Sequence, residues 1–180
     1  MKKNRINFNN KTILITGGAG FIGSNLAFYF QDNFPDSKVI VFDCFRNTEV
    51  FENGNLKSFG HYENLINFQG QIICGNINNK TDLALLDDYK FDYIFHQAAI
   101  SDTRIYDQEL VMKTNVNSFY DILRLAKKIN LLLSMLVRQQ HMATCPLLSQ
   151  LARKNLKIPM DIVNIKWIKS HSNSHLKTQV

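Results

Sequence analysis

Cysteine is scarce and scattered: Cys44, Cys74 and Cys145 form an odd set with no C-x-x-C pair. That excludes a disulfide framework and a cysteine zinc site, and leaves buried free thiols as the expectation. Long apolar runs are missing as well. Lys2, Lys3 and Arg5 precede polar Asn7, Asn9 and Asn10, with no stretch long enough for a signal peptide or a membrane span, so a cytoplasmic protein with no membrane partner is expected. Acidic residues all but vanish after residue 130: residues 131–180 hold seven Lys and Arg but only Asp161, whereas residues 1–130 hold 14 of each sign. The net charge of +6 therefore sits in the tail. This tail shows neither helical spacing nor interleaved aromatics, so no nucleic-acid partner is expected. At 180 residues, 45% hydrophobic and 20% charged, the chain has ordinary globular composition with enough length for one core.

What is present is concentrated near the start. The apolar run Thr12-Ile13-Leu14-Ile15 feeds directly into Thr16-Gly17-Gly18-Ala19-Gly20-Phe21-Ile22-Gly23-Ser24, a buried strand, a glycine-spaced turn and then a helix. Each glycine has a physical task in a dinucleotide-binding fingerprint: Gly17 permits the tight turn, Gly20 lets backbone approach a pyrophosphate, and Gly23 lets helix pack closely on strand. The helix beginning near Phe21 would aim its unpaired N–H groups at phosphates. Phe21 and Ile22 would present that backbone to the pyrophosphate; the alternative is that they anchor the first helix in the core, and both can hold together.

An amphipathic helix carrying Leu26, Ala27 and Phe30 leads to a second buried strand, Lys38-Val39-Ile40-Val41-Phe42-Asp43, which completes a βαβ unit. Asp43 falls 26 positions after Gly17, where such units keep an acidic residue for the adenosine ribose hydroxyls; a plain strand-end cap is the alternative. Beyond a polar loop from Phe45 to Leu65, a third strand covers Gln71 to Gly75, and a short helix follows with Leu83, Leu85 and Leu86 facing inward. A fourth strand covers Asp92 to Ala99. A long helix from Glu109 to Ile129 carries the stripe Leu110, Val111, Thr114, Ile122, Leu125 and Ala126. The alternation predicts an α/β fold, a Rossmann-type doubly wound parallel sheet truncated after about four strands. Leu131 to Val137 passes as a strand, but the chain from Arg138 to Val180 obeys neither period. Residues 1–130 are thus read as an incomplete dinucleotide-binding domain and residues 131–180 as an aberrant, poorly structured tail.

Taken together, Thr16 to Ser24, Asp43 and His96-Gln97-Ala98-Ala99-Ile100-Ser101-Asp102-Thr103 resemble the NAD-dependent epimerase/dehydratase family, the extended short-chain dehydrogenases. The likeness covers roughly residues 10 to 130. Within the family, the loop Gly54-Asn55-Leu56-Lys57-Ser58-Phe59 is similar to that of the epimerases acting on nucleotide-linked heptose. The resemblance implies an NAD or NADP cofactor, a nucleotide-sugar substrate and a homo-oligomer. Its chemistry is hydride transfer to the nicotinamide and back to the other face of a transient ketone, with a tyrosine as base. It further implies that Gly17, Gly20, Phe21, Ile22 and Gly23 hold the pyrophosphate, that Asp43 and Cys44 meet the adenosine ribose, and that Gln97, Ala98, Ala99, Ile100 and Ser101 line the cofactor, through side chains or through backbone alone. Asn115 matches a family asparagine near the nicotinamide ribose; the alternative is a solvated helix asparagine. Asn76 departs from the pattern, since relatives often carry Asp there against adenine. Asp43 would repel a 2′-phosphate, whereas Arg46 or Lys57 would receive one, so NAD and NADP both stay open. His171-x-x-x-His175 resembles half a zinc site but has no Cys or acidic partner nearby, so no metal is expected.

The family's proton-transfer groups, a Ser in a motif like S-S-A and a Tyr-x-x-x-Lys whose lysine lowers the tyrosine pKa, belong after residue 130 and are absent from the chain as written. The genetic code accounts for this. Codons exist for Leu131 to Ala143 which, with one base restored in front, read Ala-Ile-Ile-Val-Tyr-Ala-Ser-Ser-Ala-Ala-Thr-Tyr-Gly; the final Gly is forced by Met142-Ala143. In the same frame, Pro159 to Trp167 reads Tyr-Gly-Tyr-Ser-Lys-Tyr-Lys-Met, with its Gly forced by Met160-Asp161. The tail is therefore read as an out-of-frame translation, and the chain as written as a catalytically silent cofactor-binding part; a genuine short protein with a divergent tail is the alternative. Sequencing the gene across codon 130 is expected to show that a single-base shift opens a long frame containing both motifs. A gene with no such frame rejects the frameshift.

Overall fold

The computed structural model describes residues 7–128. Strand β1 (Thr12–Thr16) lies between β2 (Lys38–Asp43) and β4 (Tyr93–His96), with β3 (Gln71–Cys74) outside β2, in the order β3-β2-β1-β4. All three pairings are parallel. Ile13, Leu14 and Ile15 are wholly buried, as are Ile40, Val41 and Phe42, because a strand covered on both faces is apolar at every position rather than at alternate ones. After stepping outward from β1 to β3, the chain crosses back to place β4 on the other side of β1. Such a reversal leaves a crevice at the carboxyl ends of the two diverging strands, here β1 and β4.

Helix α1 (Phe21–Asn33) covers one face of the sheet, burying Ala27 and Phe30. Phe30 sits edge-on to Phe8 at 5.0 Å between ring centroids and tilted against Phe95 at 5.1 Å; Phe8 in turn meets Tyr93 at 4.8 Å. The opposite face holds Leu14, Ile40, Phe42 and Ile94 against Leu86, Ile122, Leu125 and Ala126. These come from the turn after α2 (Lys80–Ala84) and from α4 (Ser118–Lys128). A single 3-10 turn (Tyr62–Leu65) precedes β3.

Four expectations change. The fourth strand ends at His96 rather than Ala99. The long helix is present up to Lys128, but as α3 (Gln108–Met112), a π turn (Lys113–Asn117) and then α4; Ile129 lies outside the described residues. Leu85 is 51% exposed rather than inward, because α2 ends at Ala84 and Leu85 serves as its C-cap, which leaves burial to Leu86. Cys44 and Cys74 are exposed, not buried. Cys74 ends β3, the outer strand of the four described, and Cys44 directly follows β2. Cys145 and the strand expected over Leu131 to Val137 lie outside the described residues. Among the described residues no helix is long and apolar enough to cross a membrane.

The β1–β4 seam carries a histidine. His96 Nδ1 shares a 2.6 Å hydrogen bond with the buried Thr16 hydroxyl, and its ring stacks on Phe119 at 6.0 Å. Burial pushes its pKa down to about 4 from 6.5. Between those values the unfolded chain binds a proton that the folded chain refuses, so stability falls as pH drops through that window. At about 1.4 kcal/mol per pH unit the loss amounts to about 3 kcal/mol. Unfolding free energies from urea denaturation at pH 7 to pH 4 for the protein and for His96→Gln should diverge by that amount, the variant losing less; parallel curves would show that His96 does not titrate on unfolding.

Candidate functional site

The glycine turn joins β1 to α1 under tight packing. Gly17 has φ of +68°, and a Cβ built there would lie 2.6 Å from the Ala98 nitrogen and 2.8 Å from the Gln97 carbonyl carbon. Only glycine lets this turn rest on the end of β4. A Cβ on Gly23 would fall 2.2 Å from the Gly17 carbonyl oxygen, so the first turn of α1 packs directly on the glycine turn, as its spacing predicts. Gly20 differs: its added Cβ would meet only the Gly17 oxygen, at 3.3 Å, so space is open outside it. Gly20 is also the N-cap of α1 and offers no side-chain acceptor, and the first helical turn carries no acidic residue. The helix itself thus supplies no acidic side chain to the positive end of its 13-residue dipole. Phe21 is 64% and Ile22 38% exposed, which rules out the core-anchor alternative for both side chains.

Asp43 does more than cap β2. Its carboxylate reaches back to the glycine turn, accepting hydrogen bonds from the Ala19 N–H at 3.0 Å and the Phe45 N–H at 2.8 Å. It is only 6% exposed, and burial raises its pKa against the lowering by those two donors. Gly60 backs it so closely that a Cβ there would sit 2.2 Å from Oδ1. Cys44 beside it is exposed. Lys57, three residues before Gly60, pairs with Glu49 at 3.5 Å; Arg46 donates its backbone N–H to the Gly60 carbonyl at 2.7 Å and its residue is exposed.

At the end of β4, the Gln97 N–H continues the ladder to the Thr16 carbonyl at 2.9 Å. Gln97, Ala98, Ile100 and Ser101 are then half-buried, while Ala99 is exposed. Asn115 holds this segment with both ends of its amide: Oδ1 accepts from the Ile100 N–H at 2.8 Å and Nδ2 donates to the Ile100 carbonyl at 2.9 Å. It is not a solvated helix residue. The π turn around it supplies a second reach, for Thr114 Oγ1 accepts from Asn78 Nδ2 at 2.8 Å. Asn76 is exposed and forms a local turn, its Oδ1 accepting from the Asn78 N–H and its own N–H donating to Asp82, both at 2.8 Å.

The structure therefore brings Gly17, Gly20, Gly23, Asp43, Gln97 to Ser101 and Asn115 to the carboxyl edge of one sheet, with Cys44 beside Asp43, whereas Lys57 stands on the loop after β2, paired with Glu49. Sequence reasoning missed Gly18, where a Cβ would meet Val41 side-chain carbons at 2.6 and 2.9 Å, and the Thr16–His96 bond. The former stood in the glycine run itself; the latter needed the strand register. Among the described residues no group of three or more metal-ligating side chains occurs, and His171 and His175 lie outside them. The arrangement offers a positive helix end to an anion and a backed, buried carboxylate to hydroxyl donors, one on each side of the β1 end.

Comparison with known proteins agrees with this geometry. The NAD dependent epimerase/dehydratase family matches residues 13–138. An ADP-L-glycero-D-manno-heptose-6-epimerase from Brachyspira hyodysenteriae is 34% identical over 121 residues, 66% of this chain and 35% of the relative. The crystal structure of the Helicobacter pylori ADP-L-glycero-D-manno-heptose-6-epimerase aligns at 48% identity and a TM-score of 0.66, covering 75% of this chain and 41% of that one. A Bordetella bronchiseptica enzyme, WbmG, solved in complex with NAD, aligns at 25% identity and a TM-score of 0.55 over 73% of this chain and 37% of that one. The chain thus spans about a third of the curated relative and two fifths of the Helicobacter structure. Fold, glycine turn and matched length together make this chain a member of the NAD dependent epimerase/dehydratase family.

Proposed function

We propose that residues 7–128 form the cofactor-binding part of a nucleotide-sugar epimerase acting on an ADP-linked heptose. The observation that carries the reading is the bond from Ala19 to Asp43, which couples the open helix end to a buried carboxylate. A dinucleotide needs both, one for its pyrophosphate and one for its adenosine ribose. Gly20, Phe21, Ile22 and Gly23 supply backbone at the pyrophosphate, with Gly17 setting the turn that aims them. Gln97, Ala98, Ala99, Ile100 and Ser101 line the crevice toward the nicotinamide, and Asn115 fixes their backbone. When bound, the nicotinamide accepts and returns a hydride. The 48% identity with the Helicobacter epimerase supports the heptose substrate over other nucleotide sugars. The proton-transfer Tyr and Lys belong to the restored frame, so the chain as written binds cofactor without turning over substrate.

The cofactor's 2′ position is read by Asp43 and the cations beside it. A ribose 2′-hydroxyl donates to the Asp43 carboxylate. A 2′-phosphate would instead take Lys57 from Glu49, an exposed pair at 3.5 Å of a kind that contributes about 0–1 kcal/mol. The chain therefore accepts both NAD and NADP. Titration followed by nicotinamide fluorescence should show saturable binding of NADH and of NADPH. Asp43→Asn should weaken NADH about tenfold, in line with the ~1.4 kcal/mol of one charge-assisted hydrogen bond, and Lys57→Ala should weaken NADPH while sparing NADH. Absence of saturable binding by either cofactor rejects the assignment.

A further inference from the structure

The polar excursion between β2 and β3 is organised as a strap. Its base is bound to the glycine turn: the Ala19 carbonyl accepts from the His61 N–H at 3.0 Å and from Asn64 Nδ2 at 2.8 Å. Its arms pair as a short antiparallel ribbon, Val50 opposite Leu56, with the Lys57 N–H on the Glu49 carbonyl at 3.0 Å. A tight tip follows, closed by the Phe51 N–H on the Asn55 carbonyl at 2.7 Å and by Gly54 at φ of +79°.

The tip is fastened to the loop after β4. Glu52 Oε1 accepts from the backbone N–H groups of Tyr106 at 2.5 Å and Asp107 at 3.2 Å. From the other side, Asp102 accepts from Asn53 Nδ2 at 3.1 Å and from Asn55 Nδ2, while the Arg104 guanidinium braces the same carboxylate at 3.0 and 3.2 Å. Phe51 on the tip and Ile105 on the loop are both buried. Because β1 lies between β2 and β4, a segment that leaves β2 and is fastened beyond β4 has to cross the carboxyl end of β1. That is the mouth of the crevice into which the glycine turn opens.

We infer that residues 45–61 are a closing strap over the dinucleotide, and that Glu52 and Asp102, neither of which touches the cofactor, are positioning residues that set how slowly it leaves. The inference rests on the dinucleotide reading above. Its physical logic is that two acidic groups, one on the tip and one on the facing loop, each collect donors from the opposite shore. Opening the clasps bares Phe51 and Ile105 at the loop tips but no strand side chain, so it leaves the sheet intact and acts on dissociation above all.

The test is stopped-flow displacement of bound NADH by excess NAD on the full chain, for the protein and for Glu52→Gln, Asp102→Ala and the Asn53→Ala/Asn55→Ala pair. The expected result is a dissociation rate about tenfold faster in each variant, with the cofactor-free protein still unfolding cooperatively. The Asn53/Asn55 pair keeps the Asp102–Arg104 contact and so serves if Asp102→Ala fails to fold. Unchanged dissociation rates with tight NADH binding overturn the strap and leave the dinucleotide reading standing. Failure of the unsubstituted chain to bind any NADH overturns both.

Discussion

The rest of the site depends on one close approach, the Gly17 backbone resting on the backbone of Gln97 and Ala98. Interiors are packed tightly enough that a single added methyl is felt, and here the methyl would fall 2.6 Å from a backbone nitrogen. Removing that methyl lets β1 and β4 come to the same level at their carboxyl ends. Helix α1 then starts at the crevice rather than beside it, and Gly23 repeats the device within the first turn of the helix. The open start of α1 is a by-product of steric permission given at two positions.

Electrostatics builds on that geometry. A buried carboxylate is costly unless hydrogen-bonded, and Asp43 meets the cost with the Ala19 and Phe45 N–H groups, so the two halves of the site hold one another in place. The carbonyl of the same Ala19 receives His61 and Asn64. One residue of the turn thus ties β2, the glycine loop and the return of the excursion into a single unit. On the other shore Asn115 spends its whole amide on Ile100, which makes it a brace for the crevice wall.

Much of this was legible in the sequence, and the reasons for the failures are specific. The strands β1 and β2 were readable because burial on both faces leaves an uninterrupted apolar run, and Gly17, Gly23 and Asp43 because their spacing encodes steric and electrostatic needs. Leu85 misled because α2 is only five residues long, too short for periodicity to tell an inward leucine from a capping one. Cys44 and Cys74 misled because a thiol's usual preference for the interior says nothing about a strand end. The strap was invisible: Glu52 and Asp102 lie 50 positions apart, and nothing local announces that an acidic side chain on one loop will collect donors from another. The π turn was equally hidden, since an apolar stripe survives the insertion of one residue.

That π turn has a history written into it. A helix that runs smoothly from Gln108 to Lys128 would rotate either Thr114 or Asn115 away from the sheet; widening one turn by a residue lets adjacent positions both point inward, Thr114 to Asn78 and Asn115 to Ile100. Such widened turns are rare and concentrate where function requires them. The helix has given up regularity to grip two loops at once, one after β3 and one after β4. Those loops rise on either side of the crevice, so a single irregular turn works as a gauge block that fixes the width of the opening between them.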